Sequence, residues 1–383
     1  MAFILPETIA RAETRSSENV FGESQKETSS NLTNDLSTQE NPPLPLLFSD
    51  ENAENQDISE KLDQDRIIRY RLANANNQSL SLLKQFSEDS PELDDSNPDI
   101  GLNLFYDTTI DILFSRLSIT DDAMTFFGTI FNDPMSDVVL RLIDDQIYAF
   151  ISGTNVVFEI TPENNVFLIK EIDPNYYSSV EETEETNFES NRSFEIDAQT
   201  SSSEPVTIDV VIVYTNQVKE NWGGEDNLNQ LLELTIDQMN QGFINSGIIH
   251  QMNLAGTLQV EYDETAYADP EHPSAEWDSL SVVIKYGYSE GDGDLPGSDI
   301  LEDARNYQNI VGGDVMVVIA DLPNTICGRA NPLLPGLTQE FWYSMVDSDC
   351  IGAGSFTISH EIGHNLGSGH DRSTPGYSLY FDY

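Results

Sequence analysis

At 383 residues the chain can bury at least one sizeable core and has the length of two domains. Its 17 basic residues stand against 67 acidic ones, a formal charge of −50. That balance argues against nucleic acid or a membrane surface as a partner and fits a salty or extracellular medium.

The N-terminal Met1–Pro6 is apolar but shorter than the roughly 7–15-residue core of a secretory signal, and it has no basic flank. A secreted location is expected from the charge and cysteine content rather than from this stretch. Segment 1–65 is rich in Ser, Asn, Glu, Asp and Gln and carries Pro42-Pro43-Leu44-Pro45. It buries too little apolar surface to offset ordering entropy, which predicts disorder.

From 66 to 173 the texture changes to short apolar runs: 67–72, 102–105, 110–114, 125–130, 138–142, 147–151 and 156–160. Asp, Asn and Gly separate them, as in an antiparallel all-β unit. No His or Cys falls within it, so it has no evident chemistry of its own. Segment 174–205 then loses the pattern and becomes an acidic, Ser/Thr-rich linker whose only basic residue is Arg192. Such an exposed stretch is where proteolytic nicking concentrates, and it is the expected junction for removal of the N-terminal part.

Segment 206–383 alternates strand and helix signals. Val206–Tyr214 is a β-branched run of the buried-strand kind, 227–242 has a helical apolar stripe, and 254–262 reads as a strand. A short helix over 300–309 and a strand over 314–319 follow. The expected fold is therefore an α/β (α+β) domain with a mixed sheet, preceded by a mostly β domain. Cys327 and Cys350 both fall here, and in an exported protein they would form a disulfide. Two free buried thiols are the other reading.

Near the end stands Ser359-His360-Glu361-Ile362-Gly363-His364-Asn365-Leu366-Gly367-Ser368-Gly369-His370-Asp371, with three of the five histidines. On a helix His360 and His364 are i and i+4, leaving one face about 5–6 Å apart at Cβ, close enough for both imidazoles to bind one metal. Glu361 is turned off that axis, in a position to hold a water as general base. Gly367 can reverse the chain and bring His370 round as a third ligand, leaving the fourth place of a tetrahedral Zn2+ open. His250 and His272 read as exposed polar residues.

This H-E-x-x-H-x-x-G-x-x-H pattern resembles the metzincin zinc endopeptidases, and Asp371 after the third histidine resembles their reprolysin (adamalysin) branch. Ile208–Thr215, Asn245-Ser246-Gly247-Ile248, Gly313-Asp314-Val315 and Cys327-Gly328-Arg329-Ala330 look like further landmarks of bacterial reprolysin-like proteins. The resemblance implies Zn2+ held by His360, His364 and His370, with Glu361 as catalytic base, Asp371 as a structural turn residue and protein or peptide substrates. Residues 66–173 look like the β-rich pro-region that precedes such domains; as an intramolecular inhibitor it would act by covering the cleft, since 1–205 contains no cysteine, and a folding chaperone or a spacer is the other reading. Metzincins carry a methionine turn after the third histidine, whereas residues 372–383 contain no methionine. The expectation is a chain cut short before that turn. The competing function is a catalytically inactive, secreted acidic binding module with a structural zinc site.

Overall fold

The computed structural model describes residues 44–52, 66–86, 99–120, 122–176, 204–262, 264, 298–322, 327–330 and 343–366. Most of the 1–65 and 174–205 segments lies outside these residues, as do Gly367, His272, His370 and Asp371. Among the described residues, no helix is long and apolar enough to cross a membrane.

The first half forms a nine-stranded antiparallel sheet. Its strands are β1 (Phe48–Asn52), β2 (Ile67–Ala75), β3 (Ile100–Phe105), β4 (Thr108–Ile119), β5 (Met124–Ile130), β6 (Asp133–Ile143), β7 (Gln146–Ser152), β8 (Val157–Glu163) and β9 (Val166–Ile172), with one short helix, α1 (Asn77–Leu83). The order β1-β2-β9-β8-β7-β6-β5-β4-β3 is a run of hairpins closed by the return of β9 onto β2. Hairpin turns at Asn132, Asp144 and Asn164 take positive φ, which Asn and Asp tolerate best among residues with a Cβ. Two strands escape the sequence pattern. Phe48–Asn52 sits inside the stretch read as disordered, where the buried Leu47 and Phe48 join the sheet core. Val166–Ile172 follows the preceding run after only a two-residue turn, so its signal merges with the charged residues around it.

The second half is a five-stranded sheet, β11-β10-β12-β14-β13, built from β10 (Thr207–Thr215), β11 (Gln251–Val260), β12 (Val315–Ala320), β13 (Gly328–Ala330) and β14 (Tyr343–Asp347). Strands β11, β10, β12 and β14 run parallel, and only the edge strand β13 is antiparallel, paired to β14. Helices α2 (Asn216–Asn221), α3 (Glu225–Asn245), α4 (Ser298–Val311) and α5 (Thr357–Asn365) complete it. Alternation along β10 divides the core: Val210, Ile212 and Tyr214 pack with α3 and α5, while Val211 and Val213 face Ala304 and Tyr307 of α4. Burial on both faces explains the unbroken apolar run at the start of the domain.

The two sheets share a core. Phe127, Val139, Phe150, Val157 and Ile172 of the first sheet lie in one apolar cluster with Leu231, Met239, Ile351 and Ile358. Polar contacts edge this junction: Arg141 donates to Asp237 at 3.0 Å, Arg116 to Gln241 at 3.0 Å, and Gln238 to Asp137 at 3.3 Å. At its centre Glu159, fully buried, pairs with Lys170 directly across the β8–β9 ladder and lies 3.9 Å from Arg66. Arg66 donates to the carbonyls of Asp349 (2.9 Å) and Ile351 (3.3 Å), and Glu159 accepts the Ala353 N–H at 3.4 Å. Gly352, at φ +116°, leaves room for that carboxylate: a Cβ there would lie 2.5 Å from Glu159 Oε2.

Burial pushes the Glu159 carboxyl up, but the charges of Lys170 and Arg66 outweigh burial and hold it below its ordinary value. Glu159→Gln leaves two buried cations facing a neutral group, and urea unfolding is expected to show a loss of about 3–5 kcal/mol at pH 7. Adding Lys170→Met recovers part of that loss. A carboxylate with a lowered folded pKa contributes stability above its unfolded value of about 4.3 and loses it as pH falls through the folded value. The gap in Tm between wild type and Glu159→Gln should therefore narrow on acidification below about pH 4.

Candidate functional site

Helix α5 spans nine residues, and three of its i,i+4 pairs divide its surface. Ile358 and Ile362, 1% and 0% exposed, bury against the sheet. Glu361 and Asn365 face the strands: the buried Asn365 donates to the Tyr343 carbonyl at the start of β14 at 2.9 Å, and Glu361 lies against β13. His360 and His364 form the third pair, with His360 exposed and His364 buried. Their Nε2 atoms face each other at 2.9 Å with the ring planes at 90°.

The segment entering this helix is held from several sides. Cys350 is bonded to Cys327, next to β13. The indole N–H of Trp222 donates to the Ser348 carbonyl at 3.2 Å, and Arg66 and Lys170 each lie 5.5 Å from the Trp222 ring centre. Asp347 caps the turn by accepting N–H bonds from Leu322 (2.8 Å) and Asp349 (2.9 Å). Burial and the nearby Asp349 raise its pKa well above the usual carboxylate range. Phe356 then starts α5 from a left-handed conformation, at φ 51°.

The paired imidazoles suit a divalent transition metal: two nitrogen donors from one helical face converge on one point, beside a buried carboxylate. Among the described residues no group of three His, Cys, Asp or Glu side chains gathers as a metal site, and the predicted third ligand, His370, lies outside them. His250 stands apart, accepting the Val206 N–H at 3.2 Å where β11 begins. Strands β13 and β14, which frame the site, were missed in the sequence. The three residues of β13 are too few for alternation to show, and β14 is buried at all five positions and so does not alternate. The Cys-Gly-Arg-Ala run was the one available signal.

Residues 204–378, a span that includes His360, His364 and His370, match the reprolysin-type model of metallo-peptidase family M12. Over that span the chain is similar to the reprolysin-like M12 metallopeptidases. A Peptidyl-Asp metalloendopeptidase of Xanthomonas campestris pv. campestris is 30% identical over 187 residues, 49% of this chain and 39% of that protein. One from Stenotrophomonas maltophilia is 25% identical over 257 residues, 66% of this chain and 56% of that protein. The chain thus spans about half the length of the curated relatives it matches. Metalloproteinase-II from Bacteroides fragilis aligns with 11% identity over 76% of this chain and 85% of that one, at a TM-score of 0.40, too distant for function to transfer.

The matched family implies a catalytic metal, which the histidine pair fits. The disulfide closes a loop of 23 residues that contains β14 and part of the approach to α5. On the chain-entropy model such a loop is worth about 3 kcal/mol. The Cys327→Ala/Cys350→Ala variant is expected to lose about that much in urea unfolding under oxidising conditions, while wild type treated with reductant should fall to the same value.

Proposed function

We propose that the metallopeptidase domain is a zinc-dependent endopeptidase in which His360, His364 and His370 hold the metal and Glu361 is the general base. The observation that carries this reading is the placement of two facing imidazoles and a buried carboxylate on one helix, beside the antiparallel edge strand β13. A zinc ion held by these histidines would supply a Lewis acid for the scissile carbonyl and make a nearby water easier to deprotonate. Glu361, 5% exposed, takes the water's proton on its carboxylate and returns it to the leaving amine. His360 and His364 are kept in register by the core contacts of Ile358 and Ile362, so their orientation is set before substrate arrives. β13 is last in the sheet order and offers its outer edge to an extended peptide, whose main chain can pair with it whatever its side chains.

Substrates are proteins or peptides, and the shared name of the curated relatives makes peptides containing aspartate the first to assay. The acidic balance supports secretion. The contacts of the N-terminal sheet with α3 and the loop before α5 support a role for it as an intramolecular regulator of the site, acting through that loop.

Casein cleavage by the protein with its full C-terminus is expected to be abolished by a chelator and restored by zinc. Glu361→Ala should lower kcat by about 10²–10⁴-fold with bound zinc unchanged. A wild-type protein that holds zinc and cuts nothing would establish the inactive binding module instead. Peptides with aspartate should be cleaved faster than their asparagine counterparts, as read by mass spectrometry.

A further inference from the structure

We infer that Gly328 is a positioning residue for Glu361: the missing side chain of this edge-strand glycine makes the space in which the carboxylate sits. The reading rests on the proposed role of Glu361. An ideal Cβ at position 328 would lie 2.5 Å from Glu361 Oε1 and 2.7 Å from both Cδ and Cγ, closer than real Cβ contacts come. Register explains the direction. Gly328 pairs with Val346, and residues directly opposite on two strands share a face. Val346 is buried with Ile358 and Ile362, so position 328 looks toward α5, while its neighbour Arg329, opposite Met345, takes the other face. Backbone strain does not account for the glycine, since Gly328 is not among the residues with positive φ.

A disulfide and a main-chain hydrogen bond restrain the strand that carries the glycine relative to the approach to α5. Cys327, the residue before Gly328, is bonded to Cys350, and Cys350 lies seven residues before the first turn of α5. The Cys327 carbonyl also accepts the Asp347 N–H at 2.9 Å, which holds the strand at its β14 side. Separation of strand and helix to admit a methyl group is therefore resisted, and the end of the flexible Glu361 side chain is the part that yields. The fold tolerates such a shift and the proposed proton transfer does not.

Gly328→Ala is expected to retain zinc and lower kcat by at least about tenfold, with KM changed less than twofold. The companion measurement needs neither metal nor turnover. On the metal-free protein, Gly328→Ala should lower Tm by a few degrees, at about 2–4 °C for each kcal/mol lost. In a Glu361→Ala background, where the space is open, the same change should leave Tm unmoved or raised. An equal drop in both backgrounds, or a Gly328→Ala enzyme with wild-type kcat, would overturn the inference. If Gly328→Ala fails to fold, folding of the Gly328→Ala/Glu361→Ala double variant supports it and failure of both refutes it. A wild type that cleaves nothing defeats the endopeptidase reading but leaves the Tm comparison to decide the contact.

Discussion

The docking of Ile358 and Ile362 beneath the parallel strands fixes everything else about the site. Helix α5 has no side-chain cap at its N-terminus and is only nine residues long, shorter than the length at which a helix holds in water by itself. Its stability comes from that apolar pair, 1% and 0% exposed, and from Asn365 bonded to the start of β14. Once those two contacts are made, the 100° step between residues does the rest. His360 reaches the surface with His364 buried one turn on, and Glu361 turns to the edge strand. The placement of these side chains is thus a by-product of core packing.

The loop before the helix carries a second constraint. Between Asp347 and Phe356 the chain makes a tight turn, three residues with positive φ and a disulfide. A segment of that shape exposes many main-chain polar groups, and here they find partners in Arg66, Glu159 and Trp222. Two of those partners come from the N-terminal sheet. The buried Glu159–Lys170–Arg66 cluster is therefore more than an ion pair inside one domain: it joins two sheets to the entrance of the histidine helix. Buried charges of this kind give little net stability against an apolar alternative, and specificity of docking is what they supply here.

The N-terminal sheet meets the C-terminal domain at α3 and at this loop. The large negative charge plays no visible part in either junction. The contacts at the interface use Arg66, Arg116, Arg141 and Lys170, a sizeable share of the 17 basic residues in the chain, against Glu159 and Asp237.

What the sequence determined by itself were the features carried by local period. The β-branched run of β10, the stripe of α3, the short strands of the first sheet and the i,i+4 histidines with their adjacent glutamate all repeat within one element, where neighbours in sequence are neighbours in space. Tertiary structure decided what depends on residues far apart in the chain. It paired Cys327 with Cys350, placed the three-residue β13 beside β14, set Glu159 against Ala353 across a separation of 194 residues, and brought Gly328 against Glu361. A glycine in a three-residue run carries no periodic signal, and a lone glutamate in an apolar strand does not name its partner. Their meaning is a matter of register, which only the folded sheet fixes.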